Sequence, residues 1–476
     1  MKRLTFTSIY GYMKNRWWLL LLALICSIVF FITSFWYVQE RSIAPTGDEP
    51  HYLVISQTLL IYHSLDVMKD YQHGDYKSFY PRNLDAHVTP NLRGELLPVH
   101  GIGGPVLWLI PFALVGRLGA VLFMSLISVL IIINIYKFLI VMGISTRYAF
   151  FVSLAYALAS PFYIYSHLDF IEPIAAFFCI YVLRKIFQEE ITVPEVVISA
   201  IFLGLLPWIH IRFALLEIAL FFALLYKIYQ KNGWSNFRYY IFYLIPSVLL
   251  FLAFELFNYK VWGTLNPAAN QAGMVNQPFT RKPTTGLLWL FLDQEYGVFF
   301  NFPLFFFLLV GILLALKRKF AAYHLLVLVT TIPYLIVIAS LVGWQGGYTP
   351  PTRFILVLLP IWSFYVAYAV ERLNNIVSTL TMGIAMLIGF LYNLLSLEHS
   401  FNRNIWQVID VWHITIFHRS LSSFFPTANV LVPPQLHLFI AWIGIYLLIS
   451  LCLWSTQFLR FIRINPQHKT SHIPIS

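Results

Sequence analysis

Long apolar runs separated by short polar connections are the dominant pattern of this chain. The first is WWLLLLALICSIVFFITSFWYV (17–38), and others fall near 118–138, 148–166, 171–187, 194–210, 213–230, 240–262, 298–316, 322–342, 353–371, 375–397 and 437–459. Most are as long as the roughly 17–25 apolar residues that a helix needs to cross a bilayer. The pattern predicts an all-α polytopic membrane protein of about 12 transmembrane helices. GIGGPVLWLIPFALVG (101–116) is apolar too, but short and glycine-rich.

Charge placement decides what that short piece does. Cytoplasmic connections carry the excess of Lys and Arg. With 101–116 lying in the outer interface or re-entering, Lys137, Arg147, Arg184, Lys185, Lys227, Lys231, Arg238, the run KRK (317–319), Arg372, Arg460, Arg463 and Lys469 all face the cytoplasm. If 101–116 spans, all 14 of these cations move outside. The non-spanning reading is therefore preferred, with both termini inside and the longest connections, 39–117, 263–297 and 398–436, outside. Residues 1–460 then form a single transmembrane domain and 461–476 a short cytoplasmic tail, in the plasma (inner) membrane.

Composition supports this. Only 11% of the 476 residues are charged and 59% are hydrophobic, against about 25% charged in soluble domains. The formal charge of +11 needs no nucleic acid, because basic cytoplasmic flanks supply it. Cys26, Cys179 and Cys452 lie inside apolar runs, so neither a disulfide framework nor a thiolate metal site is implied. The first run is too long for a signal-peptide core and ends in Phe35, Trp36 and Tyr37, so it reads as an uncleaved span.

The first outer connection concentrates polar chemistry, with 8 of the 20 acids. It opens APTGDEPHYL (44–53), after which Tyr52, Ile55, Leu59 and Tyr62 recur at helical spacing, predicting a short amphipathic helix on the outer leaflet. Asp48 suits the cap of that helix and Glu49 its first turn. The same two carboxylates could instead deprotonate an acceptor hydroxyl or hold a divalent cation. His51, His87 and His100 could act as ligands or phosphate contacts, although their spacing matches no metal motif.

A long first span followed by an outer loop with an acidic pair and an amphipathic helix resembles the GT-C glycosyltransferases, integral membrane enzymes that use polyprenyl-phosphate-linked sugars. Their protein O-mannosyltransferases and aminoarabinose and mannosyl transferases offer the nearest motifs. GDEPHYL resembles their acidic motif. HGIGGPVLWLIPFALVGRLGA (100–120) resembles the interfacial helix and arginine before the second span, and LDFIEP (168–173) the second outer loop. LLWLFLDQEYGVFFNFPLF (287–305) and GWQGGYTPPTRFILVLLP (343–360) resemble stretches of bacterial relatives, whereas 398–436 has no counterpart.

The resemblance implies transfer of a hexose or pentose from a polyprenyl phosphate to a lipid, glycan or protein acceptor on the outer face, with inversion. It places Asp48 as base or metal-holding acid and Glu49 as its supporting acid, with no certain cofactor beyond a possible divalent metal held by Asp48 and His51. Asp169 and Glu172 are candidate second-loop acids that orient the acceptor, or ordinary solvated acids. Arg353, Arg212, His210 and His100 are candidate contacts of the donor phosphate, because arginine pairs bidentately with phosphate; the plainer alternative for the arginines is an interfacial anchor. A transporter or flippase of a lipid-linked glycan is the competing reading, and it predicts ionisable groups near the bilayer midplane.

Overall fold

The computed structural model describes residues 6–271, 283–347, 349–398, 415–416, 419–427 and 436–464. Most of the 398–436 connection and of the 461–476 tail lies outside them. The described residues are overwhelmingly helical. In chain order the helices are α1 (Phe6–Phe35), α2 (Glu49–Tyr62), α3 (Met68–His73), α4 (Gly103–Leu107), α5 (Leu109–Val115), α6 (Arg117–Val141), α7 (Thr146–Leu158), α8 (Phe162–Tyr165), α9 (Glu172–Phe187) and α10 (Val193–Ile209). They continue with α11 (Ala214–Asn232), α12 (Phe237–Trp262), α13 (Pro283–Leu292), α14 (Val298–Asn301), α15 (Phe307–Ala315), α16 (Ala321–Ser340), α17 (Leu359–Leu373), α18 (Ile376–Glu398) and α19 (Leu436–Ile464). Two short antiparallel hairpins pair β1 (Val88–Pro90) with β2 (Leu96–Pro98), and β3 (Thr415–Ile416) with β4 (Arg419–Ser420).

Each apolar run of the sequence is met by helix. Among the described residues, seven helical stretches are long and apolar enough to cross a membrane, and others are shorter. The run 298–316 is divided among α14, a 3-10 turn at Pro303–Phe306 and α15, because Pro303 lacks the amide that a continuous helix requires. The run 101–116 forms α4 and α5, each too short to span, and leaves Ile110 75% and Leu114 76% exposed. An outward apolar face of that kind suits hydrocarbon.

The bundle packs α6 against α1 and α9, α10 against α12, and α15 against α17. From Thr349 to Val370 every residue is buried, so α17 is the central helix, enclosed on all sides. Peripheral helices do the reverse: α12 exposes Leu249, Phe251 and Leu256, and α18 exposes Leu380, Ile384 and Leu387. In a multi-pass protein those outward side chains meet lipid tails, while the helix ends carry the polar groups.

Helix α2 forms where the spacing predicts it. Its first turns are buried on every face, from Glu49 to Ser56, and only towards its end does an apolar residue emerge, Ile61 at 52% exposure. The helix enters the bundle with its N-terminus and reaches the surface with its C-terminus. That orientation carries Asp48 and Glu49 inward.

Candidate active site

Asp48 occupies the cap position of α2 but makes no side-chain capping bond. Its carboxylate points instead to Arg353, whose Nη2 donates to Oδ2 at 2.6 Å. The same guanidinium donates from Nε to Glu172 Oε1 at 2.7 Å and from Nη1 to the Gly346 carbonyl at 2.9 Å. Arg212 Nη2 donates to the Glu172 Oε1 as well. The result is a chain of alternating charge, Asp48, Arg353, Glu172, Arg212, nearly closed to solvent: the Glu172 side chain is fully buried and that of Asp48 is 24% exposed.

Glu49 belongs to a second cluster. Its Oε1 accepts from the Asp169 amide at 2.9 Å and its Oε2 from the Thr46 amide at 2.9 Å. Arg117 lies between the carboxylates at ion-pair distance, 4.0 Å from Glu49 and 3.7 Å from Asp169. The Tyr37 ring, just past α1, faces Arg117 with its centroid 6.0 Å from the guanidinium carbon and packs 4.6 Å from the buried His167 ring. The adjacent acids of the GDEP motif thus serve different networks. Asp48 joins the loop before α17, and Glu49 joins the loop before α9.

Every one of these groups sits at a helix terminus. Glu49, Arg117 and Glu172 are the first residues of α2, α6 and α9. Arg212 lies between α10 and α11, and Arg353 precedes α17. Chain direction alternates along the bundle, so these termini share one end of it.

The electrostatics differ between the acids. Desolvation pushes Asp48 up, but the positive charge of Arg353 outweighs it and holds the carboxyl well below the usual range. Asp169 moves the other way: burial and the neighbouring Glu49 raise it well above its ordinary value, and burial raises Glu49 too. Two close carboxylates against one guanidinium retain a proton between them. Burial also depresses the first-loop imidazoles, His100 to about 4 and His87 below its ordinary value, so both are neutral near pH 7.

The β1–β2 hairpin brings those histidines together. The Val99 amide donates to the His87 carbonyl at 3.2 Å, and His87 Nδ1 lies 3.2 Å from His100 Nε2. One donor atom from each of Asp48, His87 and His100 fits within 4.8 Å of the others. His51 is turned aside: its ring stacks on His87 at 3.6 Å and its Nδ1 pairs with the Tyr71 hydroxyl at 2.7 Å. The residues able to hold a cation together are Asp48, His87 and His100, with His51 against the back of His87.

The glycines after His100 have a structural role. A Cβ on Gly101 would stand 2.3 Å from the Ile209 carbonyl oxygen, and one on Gly103 2.7 Å from the Trp208 backbone. The segment lies directly on the end of α10, which holds His100 near His210; His210 Nδ1 in turn accepts from the Arg212 amide at 3.2 Å. Asp293 caps a turn, accepting from the amides of Glu295 and Tyr296 at 2.8 Å each.

Beside this end of the bundle is a cavity of about 600 Å³. Its walls include Val38, Leu60, Phe79 and Phe112, with Gln39, Ser42, Gln57 and Arg117 as polar members. Arg117 lines the cavity and also meets Glu49, the neighbour of Asp48.

The sequence marks Arg117 only as the arginine before the second span, with no partner assigned, and does not single out His167. Arg117 carries a signal: a cation opening a long apolar run. His167 carries none, since nothing local separates it from any loop histidine.

No protein-family profile matches the chain, and no curated protein sequence does. Solved structures give fold-level likenesses. The crystal structure of ArnT from Cupriavidus metallidurans bound to undecaprenyl phosphate superposes with TM-score 0.48 at 15% identity, over 92% of this chain and 75% of that one. Its apo state superposes with TM-score 0.48 at 16% identity, over 93% and 72%. The archaeal oligosaccharyltransferase AglB from Archaeoglobus fulgidus, in complex with an inhibitory peptide and a dolichol-phosphate, superposes with TM-score 0.43 at 14% identity, over 83% and 56%. Likenesses of this degree assign no activity to the chain.

Proposed function

We propose that this multi-pass membrane protein is a GT-C-type glycosyltransferase that moves a sugar from a polyprenyl-phosphate donor to an extracytoplasmic acceptor. The observation that carries the reading is the convergence of Asp48, Glu49, Asp169 and Glu172 with Arg117, Arg212 and Arg353 at one end of the bundle, beside a cavity with apolar walls. A transporter moving its cargo through the bilayer places such groups near the midplane; here they lie at helix termini.

In the transfer, the acceptor oxygen forms a bond to the anomeric carbon as the bond from that carbon to the donor phosphate oxygen breaks. The acceptor proton passes to a base, and the lipid phosphate leaves with the bonding electron pair. One displacement of this kind inverts the anomeric centre and needs no covalent enzyme intermediate, in contrast to the two-carboxylate retaining scheme. Asp48 stands at the open edge of its network, as an acid that meets the acceptor or holds a cation. Its pairing with Arg353 favours the charged form and makes it a weak proton acceptor.

Arg353 and Arg212 are the groups proposed for the leaving phosphate, with His210 and His100 beside them. Arg353 spends three of its five N–H donors on Glu172, Gly346 and Asp48, which leaves one on each Nη for a phosphate. Glu172 holds both arginines in place before it arrives. The cavity lined by Arg117 suits an amphiphile, its polar end towards Arg117 and its apolar part along Phe79 and Phe112.

The test uses purified full-length protein in lipid, a panel of polyprenyl-phosphate sugars and a cell-envelope extract as acceptor. Wild type is expected to transfer sugar, and Asp48→Asn to lose transfer while retaining donor binding. Movement of the lipid-linked sugar across the bilayer without transfer would replace the reading with a transporter.

A further inference from the structure

We propose that Asp48, His87 and His100 form a binding site for a single nitrogen-preferring divalent cation of the zinc type, with three protein ligands and one open position. The inference rests on the reading of Asp48 as a cation-holding acid and goes beyond it by naming the ligand set and the metal class. Three observations support it.

The first is distance. Zinc–nitrogen bonds of 2.0–2.1 Å at a tetrahedral angle set two ligating nitrogens about 3.3 Å apart. His87 Nδ1 and His100 Nε2 stand 3.2 Å apart, the length of one edge of that tetrahedron. The same spacing accommodates an N–H···N hydrogen bond for one combination of tautomers, whereas metal binding needs both lone pairs turned inward.

The second is the support behind the ligands. The two imidazoles are held on opposite sides of a closed hairpin whose register runs from Val88↔Pro98 to Pro90↔Leu96. His51 stacks on His87 at 3.6 Å and is itself held by Tyr71, while the Gly101 and Gly103 backbone seats the other strand on α10. These packing contacts fix where the two rings sit before a metal arrives.

The third is the donor set. Two imidazoles and one carboxylate match zinc, cobalt or nickel; calcium and magnesium take oxygen ligands almost throughout. Arg353 occupies only Oδ2 of Asp48, which leaves Oδ1 for a cation. Three protein ligands leave a fourth tetrahedral position open, the arrangement of catalytic rather than structural zinc sites, and the fourth ligand is then water or an oxygen of a bound substrate.

The experiment is metal binding, read separately from transfer. Full-length protein in lipid nanodiscs is stripped with chelator and titrated with Zn²⁺, and in parallel with Co²⁺ followed by visible absorption. One equivalent is expected to bind, Co²⁺ giving the intense bands of a tetrahedral site. His87→Gln and His100→Gln are each expected to lower affinity at least about tenfold, and His437→Gln, which alters an exposed histidine at the start of α19, to leave it unchanged. Equal affinity in wild type and both first-loop variants would overturn the site. If the variants lose their helical signal, the wild-type Co²⁺ spectrum decides: weak octahedral bands or no uptake overturn it as well. Zinc uptake without sugar transfer by any donor would leave the site standing and count against the glycosyltransferase reading, and transfer undiminished in chelator-stripped protein that binds no metal would do the opposite.

Discussion

Arg353 donates from Nη2 to Asp48 Oδ2 at 2.6 Å, joining positions 305 apart in the chain. Its Nε simultaneously holds Glu172 Oε1 at 2.7 Å, so one guanidinium ties the connections before α2 and α9 to the start of the central helix. The fork geometry of arginine permits this; a lysine ammonium is a point charge without three directed in-plane donors.

Arg353→Met is accordingly expected to destabilise the protein by roughly 3–5 kcal/mol, the cost of leaving buried charges without their partner. Arg353→Lys should recover part of the stability and none of the transfer activity. Thermal unfolding in detergent and the sugar-transfer assay, run on both variants, check the two halves separately. Activity in the lysine variant close to wild type would remove the fork from the mechanism.

Asp169 and Glu172 are three positions apart and should respond very unequally to loss of charge. Burial and Glu49 raise Asp169 well above the usual carboxyl value, which favours its neutral form, and Asn imitates that form. Asp169→Asn is expected to change stability by less than about 1 kcal/mol. Glu172→Gln removes the carboxylate shared by Arg212 and Arg353 and is expected to cost roughly 3–5 kcal/mol. Melting curves of the two variants at pH 7 make the comparison.

The connection between α1 and α6 carries a pH response at Asp70. Burial, then the charge of Asp75, lifts its carboxyl to about 7. Between its ordinary value and that one, the folded chain keeps a proton that the unfolded chain has released. Stability is therefore present at low pH, falls as pH rises from about 4 to about 7, and levels off above that. The full effect is at most about 4 kcal/mol. Asp70→Asn is expected to flatten this part of the profile and to raise the melting temperature at pH 7.5, which a melting series across that range would show.

Gly346 is required where it stands. Its φ is +91°, and a Cβ there would lie 2.8 Å from Arg353 Cδ, while its carbonyl accepts from Arg353 Nη1. Gly346→Ala should cost about 1–3 kcal/mol in backbone strain and displace the guanidinium. The expected signature is a raised KM for the donor together with a lowered kcat, and unchanged kinetics would refute the placement.

The apolar runs and their charged flanks determined the helical membrane class, the position of nearly every helix and the shortness of the 101–116 piece, because these follow from local composition and helix length. Asp48, Glu49, Asp169, Glu172, Arg212 and Arg353 could likewise be selected from the sequence, since an ionisable group beside a span is costly without a purpose. Tertiary structure alone decided their partners. The adjacent Asp48 and Glu49 part company because α2 inserts its N-terminus between two different loops, one leading to α9 and the other to α17. His87 and His100 meet because a hairpin closes between them, and His51 turns away because Tyr71 holds it. Which charges pair across 305 positions is set by how helix ends converge, and no local pattern of residues encodes that convergence.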